Sequence, residues 1–217
     1  MSQSQTILSL TSIRSFAALF VVWYHVAVSF TAYDFTFFNL FLNGSLSVDL
    51  FFVLSGFILH HVYKDKNIHK SYRKFVFTRL ARIYPLHLVT LLTLLFITLV
   101  LDDFSDRYNP EYYTGLSFFL NLLLVQNWGF IPPSWNMVSW SISAEWFMYL
   151  LFPFMVCGVS RFKLAKTQKV YPFITLFVLA SHYLAIYTLQ LDGYGGMSIG
   201  GMIQVFFEFS LGFFFME

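Results

Sequence analysis

The chain of 217 residues has a formal net charge of +2; hydrophobic residues make up 58% of it and charged residues only 11%. About a quarter of the residues in a soluble domain are charged, so this composition excludes an ordinary soluble domain and gives no indication of a nucleic-acid partner. The apolar runs predict an all-α protein: a single-domain bundle, over residues 1–217, of about six or seven membrane-spanning helices.

Seven apolar runs predict the spans in chain order. They lie near residues 11–31, 45–63, 80–101, 112–131, 134–157, 170–190 and 200–217. Pro132 and Pro133 break the helix between the fourth and the fifth run, which favours a re-entrant segment at one of these two runs. The first run lacks a small-residue cleavage site, so we expect it to be a permanent span rather than a signal peptide.

Basic residues suggest the orientation. The segment between the second and third runs carries Lys64, Lys66, Lys70, Arg73, Lys74, Arg79 and Arg82. The positive-inside rule therefore predicts a multi-pass protein of the cell membrane with this segment and the N-terminus in the cytoplasm. Strict alternation of seven spans would put the basic stretch 158–169 outside, against the same rule, so the side of this stretch stays open.

The first apolar run, in "RSFAALFVVWYH", has Arg14 at one end and His25 at the other. Eleven helical steps are within about 20° of three full turns, so the two side chains share one face about 16 Å apart along the axis. We expect Arg14 near one membrane surface and His25 buried. The alternative is a snorkelling arginine with a core histidine.

Two acidic residues are candidate partners of this histidine. Asp49 lies a few residues into the second run, at a depth similar to that of His25 if the two helices are antiparallel. Glu145 lies in the fifth run and is a second candidate. A carboxylate beside His25 would fix the imidazole tautomer and raise its basicity, although Asp49 could equally polarise its helix end and Glu145 could be a packing residue.

The stretch "FVFTRLARIYP" predicts a phosphate site at the cytoplasmic surface. Arg79 and Arg82 are three residues apart, on one helix face, and Pro85 should bend or weaken the helix after them. Guanidinium groups beside Arg73 and Lys74 suit a phosphate-rich ligand. The alternative is a topology signal or a contact with anionic lipid.

Four stretches in this order resemble the acyltransferase 3 family of multi-pass membrane enzymes. They are Arg14 followed by ten residues and His25, then "SVDLFFVLSGF", then "FVFTRLARIYP" with Phe75, Arg79, Arg82, Ile83 and Pro85, and finally "SWSISAEWFMYLLFP" with Glu145. Family members are typically longer, so the resemblance implies that this chain corresponds to the N-terminal part of the family's fold, truncated at its C-terminal end.

The resemblance implies transfer of an acyl group, often acetyl, from cytoplasmic acyl-coenzyme A to a hydroxyl of a cell-surface glycan, a lipid-linked sugar or another acceptor. Acyl-coenzyme A is then a co-substrate rather than a tightly bound cofactor, and membrane lipids surround the protein. His25 would be the general base, with Arg14, Asp49 and Glu145 completing the catalytic set. Arg79, Arg82, Arg73 and Lys74 would bind the donor.

Two other functions remain open from the residues alone. Intramembrane Arg, His, Asp and Glu also describe a proton-coupled transporter or exporter, although no inverted repeat stands out. A catalytically incomplete fragment is the third reading. Ser55 and Gly56 are expected to be close-packing residues, and no metal-ligand motif is present in the sequence, so we expect no metal.

Overall fold

The computed structural model describes residues 3–30, 44, 46–63, 68, 71–100, 113–130, 134–161, 176, 180 and 199–214. Within these ranges the protein is helical and contains no strand, as predicted. The elements are α1 (Gln3–Phe30), α2 (Leu46–Tyr63), α3 (Tyr72–Val100), α4 (Gly115–Leu122), a 3-10 turn (Met137–Ser139), α5 (Trp140–Arg161) and α6 (Ile199–Phe214).

Three of these segments are long and apolar enough to cross a membrane. They are α2, α3 and the stretch Met137–Ser160, which joins the 3-10 turn to α5. The apolar parts of α1 (Ser12–Ala27) and α6 are shorter. A bundle of six or seven spanning helices is therefore not confirmed. The predicted span at 170–190 lies outside the described residues except for Leu176 and Ala180.

The described part of the run 112–131 fits the re-entrant alternative of the sequence analysis rather than a spanning helix. The eight residues of α4 begin after the Thr114 cap and reach only about 12 Å, far less than the roughly 30 Å of a bilayer core. The chain then turns at Leu124, which has a positive φ of 59°. Hydrophobicity alone predicts the longer helix because a hydropathy pattern contains no information about this turn.

The irregular stretch after α4 is held by hydrogen bonds to α5 and to the 3-10 turn before it. The Ser143 hydroxyl donates to the Leu124 carbonyl at 2.8 Å and accepts from the Asn127 backbone N–H at 3.3 Å. The Gln126 amide donates to the Ser139 hydroxyl at 3.0 Å. Backbone that leaves the helical path inside a membrane protein needs such partners, so this stretch has the character expected of a re-entrant segment.

The third helix is longer than predicted. It begins at Tyr72 rather than near residue 80, so the basic residues Arg73 and Lys74 are helical and exposed. It also continues through Pro85 as a helix, where the sequence predicts a bend or a weakening. The Pro85 side chain is exposed, so its ring points away from the packed core.

The helices α1 and α2 are antiparallel. The Arg14 guanidinium donates to the Ser55 hydroxyl at 3.1 Å. At the other end, Gly44, just before α2, lies beside the Phe20 carbonyl and the Tyr24 side chain. These two contacts fix the register between the helices.

The helices α2, α5 and α6 run in the same direction. Asp49 and His60 near the two ends of α2 contact Gln204 and Phe213 of α6 respectively. Ser55 contacts Glu145 near the start of α5, and Tyr63 packs on Phe152 further along it, with ring centroids 6.2 Å apart. The C-terminal ends of α2, α5 and α6 therefore meet at one end of the bundle.

This shared direction bears on the side of the basic stretch 158–169, which the sequence analysis leaves open. The last residue of α5, Arg161, lies at the end of the bundle where α2 ends and the basic segment 64–82 begins. The reason is that the short α4 and the stretch after it replace a spanning helix. Both basic segments of the sequence thus start from one end of the protein.

Close backbone packing between α2 and α6 gives the bundle its firmest contact. A methyl group at Gly56 would lie 2.0 Å from the Phe209 carbonyl oxygen, and one at Gly212 would lie 1.8 Å from the Val53 carbonyl oxygen. Small residues permit this approach between apolar helices. The buried core beside it is aromatic and includes Phe52, Phe75, Phe152, Phe209 and Phe213.

Candidate active site

Three helices contribute to a chain of polar side chains inside the apolar bundle. Arg14 of α1 donates to the hydroxyl of Ser55 on α2 at 3.1 Å. That hydroxyl in turn donates to the Glu145 carboxylate on α5 at 3.3 Å. Two of the predicted site residues, Arg14 and Glu145, are therefore brought together through Ser55, which the sequence analysis expects to be a close-packing residue rather than a catalytic one.

Tyr149 extends this chain toward α3. Its hydroxyl donates to the same Glu145 oxygen, Oε1, at 2.5 Å, and its side chain is buried. Its ring lies 5.8 Å from the guanidinium carbon of Arg79. A third predicted residue, Arg79, thus belongs to the same group of contacts.

Aromatic rings surround the Arg79 guanidinium. Besides Tyr149, the rings of Tyr63 and Phe75 have centroids 5.5 and 5.6 Å from its central carbon. One guanidinium nitrogen donates to the Tyr63 hydroxyl at 3.3 Å. Such cation–π contacts are strongest where water is excluded, and they hold the charge of Arg79 in a defined position.

The other predicted donor-binding residues lie at the surface of the same helix. Arg82, Arg73 and Lys74 are exposed, whereas Arg79 is half-buried. The two arginines of "RLAR" therefore differ in environment: Arg79 faces the polar chain, and Arg82 remains free of the packed core. Along α3 from its first turn, Arg73 and Lys74 come first and Arg79 follows about 9 Å further on. Arg82 lies nearly one turn beyond Arg79, farther from the end of the bundle where α3 begins.

His25 is exposed, whereas the sequence analysis expects it to be buried. The register set by Arg14 and Ser55 puts His25 at the level of Gly44, and α2 begins only at Leu46. The start of α2 thus falls short of His25, whose side chain is exposed and contacts Tyr24 edge to face at 5.3 Å between ring centroids. It remains about 16 Å from Arg14 along α1.

Asp49 lies in a different cluster from the one expected. The Gln204 amide donates to Asp49 at 3.0 Å and to Glu208 at 2.7 Å, so one amide bridges two carboxylates between α2 and α6. The register again explains the difference from the expected His25–Asp49 pair. Asp49 is opposite residue 20 of α1, about five residues or 7.5 Å from the level of His25.

Sequence reasoning did not connect three residues to these clusters. Tyr149 could have been found, because it lies four residues after Glu145 and so shares its helix face. Ser55 and Gln204 carry no such signal. Their partners come from other helices, and only the packing of α2 against α5 and α6 reveals them.

Comparison with known proteins agrees with this arrangement of motifs. A family model described as an acyltransferase domain matches residues 7–216. Acyltransferase MdmB of Streptomyces mycarofaciens is 37% identical over 152 residues, which is 67% of this chain and 38% of that protein. YrhL of Bacillus subtilis, whose name assigns it as a peptidoglycan O-acetyltransferase, is 29% identical over 191 residues, 79% of this chain and 27% of YrhL.

A third relative, protein 2 in the picA locus of Rhizobium radiobacter, is 40% identical over 95 residues, covering 42% of this chain and 46% of that protein. The matches thus cover less than half the length of each of these relatives. No solved structure matches the chain. The match over nearly all of its residues shows that the chain belongs to the acyltransferase 3 family.

Proposed function

We propose that this protein is an integral membrane acyltransferase that moves an acyl group, acetyl in the simplest case, from acyl-coenzyme A to a hydroxyl of a glycan or a lipid-linked sugar. The observation that carries the proposal is the polar chain from Arg14 through Ser55, Glu145 and Tyr149 to Arg79 inside an apolar bundle. Two relatives also support the proposal, because MdmB is named as an acyltransferase and YrhL as an O-acetyltransferase.

We further propose a multi-pass location in the cell membrane with the N-terminus in the cytoplasm. Support comes from the basic residues at one end of the bundle, where the exposed Arg73 and Lys74 lie in the first turn of α3 and where α5 ends at Arg161. Positive residues mark the cytoplasmic side of membrane proteins. Acyl-coenzyme A, which is made in the cytoplasm, would then meet the protein at this end.

The phosphates of the donor would bind Arg82, Arg73 and Lys74. These side chains are exposed and supply bidentate and point-charge contacts to phosphate oxygens. The thioester arm would pass Arg79 and Arg14 along the face of α1 that Arg14 shares with His25. Coenzyme A is a co-substrate here and leaves after each turnover.

His25 would act as the general base on the acceptor. The acceptor oxygen attacks the thioester carbonyl, its proton passes to the imidazole, and a C–O bond forms as the C–S bond breaks. The coenzyme A thiolate leaves and takes up a proton. Exposure of His25 leaves its ring accessible to an acceptor. Arg14 and Glu145 would hold the arm, and the Asp49 cluster would set the charge beside it.

A transfer assay tests the proposal. Purified protein in detergent is incubated with acetyl-coenzyme A labelled in the acetyl group and a panel of glycan acceptors, and label on the acceptor is counted. Glu145→Gln should abolish the transfer. Ser210→Ala, a buried serine of α6 outside the polar chain, should not. Flux of a solute in vesicles without transfer of label would instead indicate a carrier.

A second measurement identifies the acceptor class. Surface glycans from cells with and without the gene are compared by mass spectrometry, and the proposal expects a mass difference of one acetyl group. Cells that carry Glu145→Gln should match the cells without the gene. Identical glycan masses in all three strains would overturn the glycan as acceptor.

A further inference from the structure

Tyr149 contacts two charged residues that belong to different helices and to different parts of the proposed reaction. Its hydroxyl donates to Glu145, which the Ser55 hydroxyl joins to Arg14. Its ring lies 5.8 Å from the Arg79 guanidinium carbon. The residue is 2% exposed, so both contacts are made away from water.

The hydroxyl and the ring of Tyr149 do different things. A half-buried carboxylate inside an apolar bundle needs donors to stay oriented, and Glu145 Oε1 receives two of them, from Ser55 and Tyr149. The ring is one of three aromatic faces around Arg79, together with Tyr63 and Phe75. The buried Nε of Arg79 has no hydrogen-bond partner, so the rings and the Tyr63 hydroxyl are what fix this guanidinium.

We propose that Tyr149 is a positioning residue that joins the donor-binding arginine Arg79 to the Glu145–Ser55–Arg14 chain. Its hydroxyl orients the carboxylate, and its ring holds the guanidinium toward the donor arm. The inference rests on the proposed acyl transfer and deepens it. It assigns two separable effects to a residue that contacts neither the acceptor nor the phosphates.

Two substitutions separate these effects. Tyr149→Phe keeps the ring over Arg79 and removes only the hydroxyl from Glu145. It should lower kcat about tenfold or more and leave the KM for acetyl-coenzyme A unchanged. Tyr149→Leu removes the ring as well, so the KM for the donor should rise several-fold in addition. Phe154→Leu, an exposed aromatic residue on α5, is the control and should change neither constant.

A chemical probe of Arg79 measures the same arrangement without any turnover. Phenylglyoxal modifies accessible guanidinium groups, and peptide mass spectrometry reports the rate at each arginine. Arg79 should react slowly in the wild type and in Tyr149→Phe, and several-fold faster in Tyr149→Leu. Arg82, which is exposed in the structure, should react rapidly in all three proteins and serves as the internal standard.

The two readouts distinguish failure of the inference from failure of the proposed function. Equal effects of both Tyr149 variants on kcat and KM, or equal Arg79 modification rates in all proteins, would overturn the positioning role. Absence of transfer in the wild type, with Arg79 modified faster only in Tyr149→Leu, would leave the contact intact and overturn the acyl-transfer role on which the inference rests. A fall in kcat alone in Tyr149→Phe, together with an additional rise in the donor KM in Tyr149→Leu, supports both the positioning role and the acyl transfer.

Discussion

Arg14 and Glu145 are held one hydroxyl group apart by Ser55, although they come from the first and the fifth helix. The Ser55 hydroxyl lies between the two opposite charges. The directions of its two hydrogen bonds therefore orient the guanidinium and the carboxylate in addition to their mutual attraction. The serine therefore sets the distance between the two predicted site residues. The sequence predicts that both Ser55 and Gly56 are close-packing residues, and in the structure Gly56 is the one that permits the close approach of α6.

Removal of the Ser55 hydroxyl should reduce turnover without unfolding the protein. Ser55→Ala takes one hydrogen bond from each of two charged groups, and such bonds contribute about 1.5–3 kcal/mol, so kcat/KM should fall about tenfold or more. Steady-state transfer from acetyl-coenzyme A measures the change. Ser210→Ala is the matched control, because its buried hydroxyl has no hydrogen-bond partner in the described structure. Equal activity of the two variants would argue against the polar chain.

Loss of the His25 imidazole should nearly abolish transfer. A positioned general base contributes roughly 10²- to 10⁴-fold, so His25→Ala should lose that factor in kcat while the protein keeps its thermal stability, since the side chain is exposed. His61→Ala on α2 is the control, a histidine outside the proposed reaction. Near-normal turnover of His25→Ala would exclude the general-base role, and a fall in both variants would point to a structural effect.

The elements that the sequence predicts well are those that depend on local pattern. The predicted span 45–63 is observed as Leu46–Tyr63, and the last helix begins at Ile199 against a predicted 200. The shared face of Arg14 and His25 follows from helical periodicity alone. Glu145 is recognised by its motif, and the structure adds its partners Ser55 and Tyr149.

The elements that the sequence misses or leaves open depend on contacts between distant segments. The run 112–131 is apolar enough for a span, yet Leu124 turns the chain and Ser143 of α5 accepts and donates the hydrogen bonds that hold the turn. The exposure of His25 depends on where the next helix starts, which a hydropathy pattern gives only to within a few residues. The contact of Tyr149 with Arg79 depends on the direction of α5, which the sequence analysis leaves open.

Arg82 should contribute to donor affinity through its charge. Arg82→Ala removes an exposed guanidinium one turn beyond Arg79 on α3, and the KM for acetyl-coenzyme A should rise about tenfold with little change in kcat. The difference from the wild type should shrink as salt is added, because exposed charges are screened. Thr78→Val, also exposed on α3, is the control. An unchanged donor KM in Arg82→Ala would exclude the phosphate contact.

The α2–α6 contact should be the most sensitive part of the fold. A leucine at Gly212 would force its Cβ to within 1.8 Å of the Val53 carbonyl oxygen, so the helices must separate, and overpacking of this kind costs about 1–3 kcal/mol or more. Gly212→Leu should lower the apparent Tm in detergent and the yield of monodisperse protein in size-exclusion chromatography.

The control for this effect is a helical glycine that has room. A methyl group at Gly158 of α5 would meet nothing within 4 Å, so Gly158→Ala should leave stability unchanged or raise it by about 0.5–1 kcal/mol, because alanine restricts the unfolded chain more than glycine. If Gly212→Leu melts at the same temperature as Gly158→Ala, the close approach of α2 and α6 is not what holds the bundle. If it melts lower, the backbone contact that places Asp49 beside Gln204 also sets the stability of the protein.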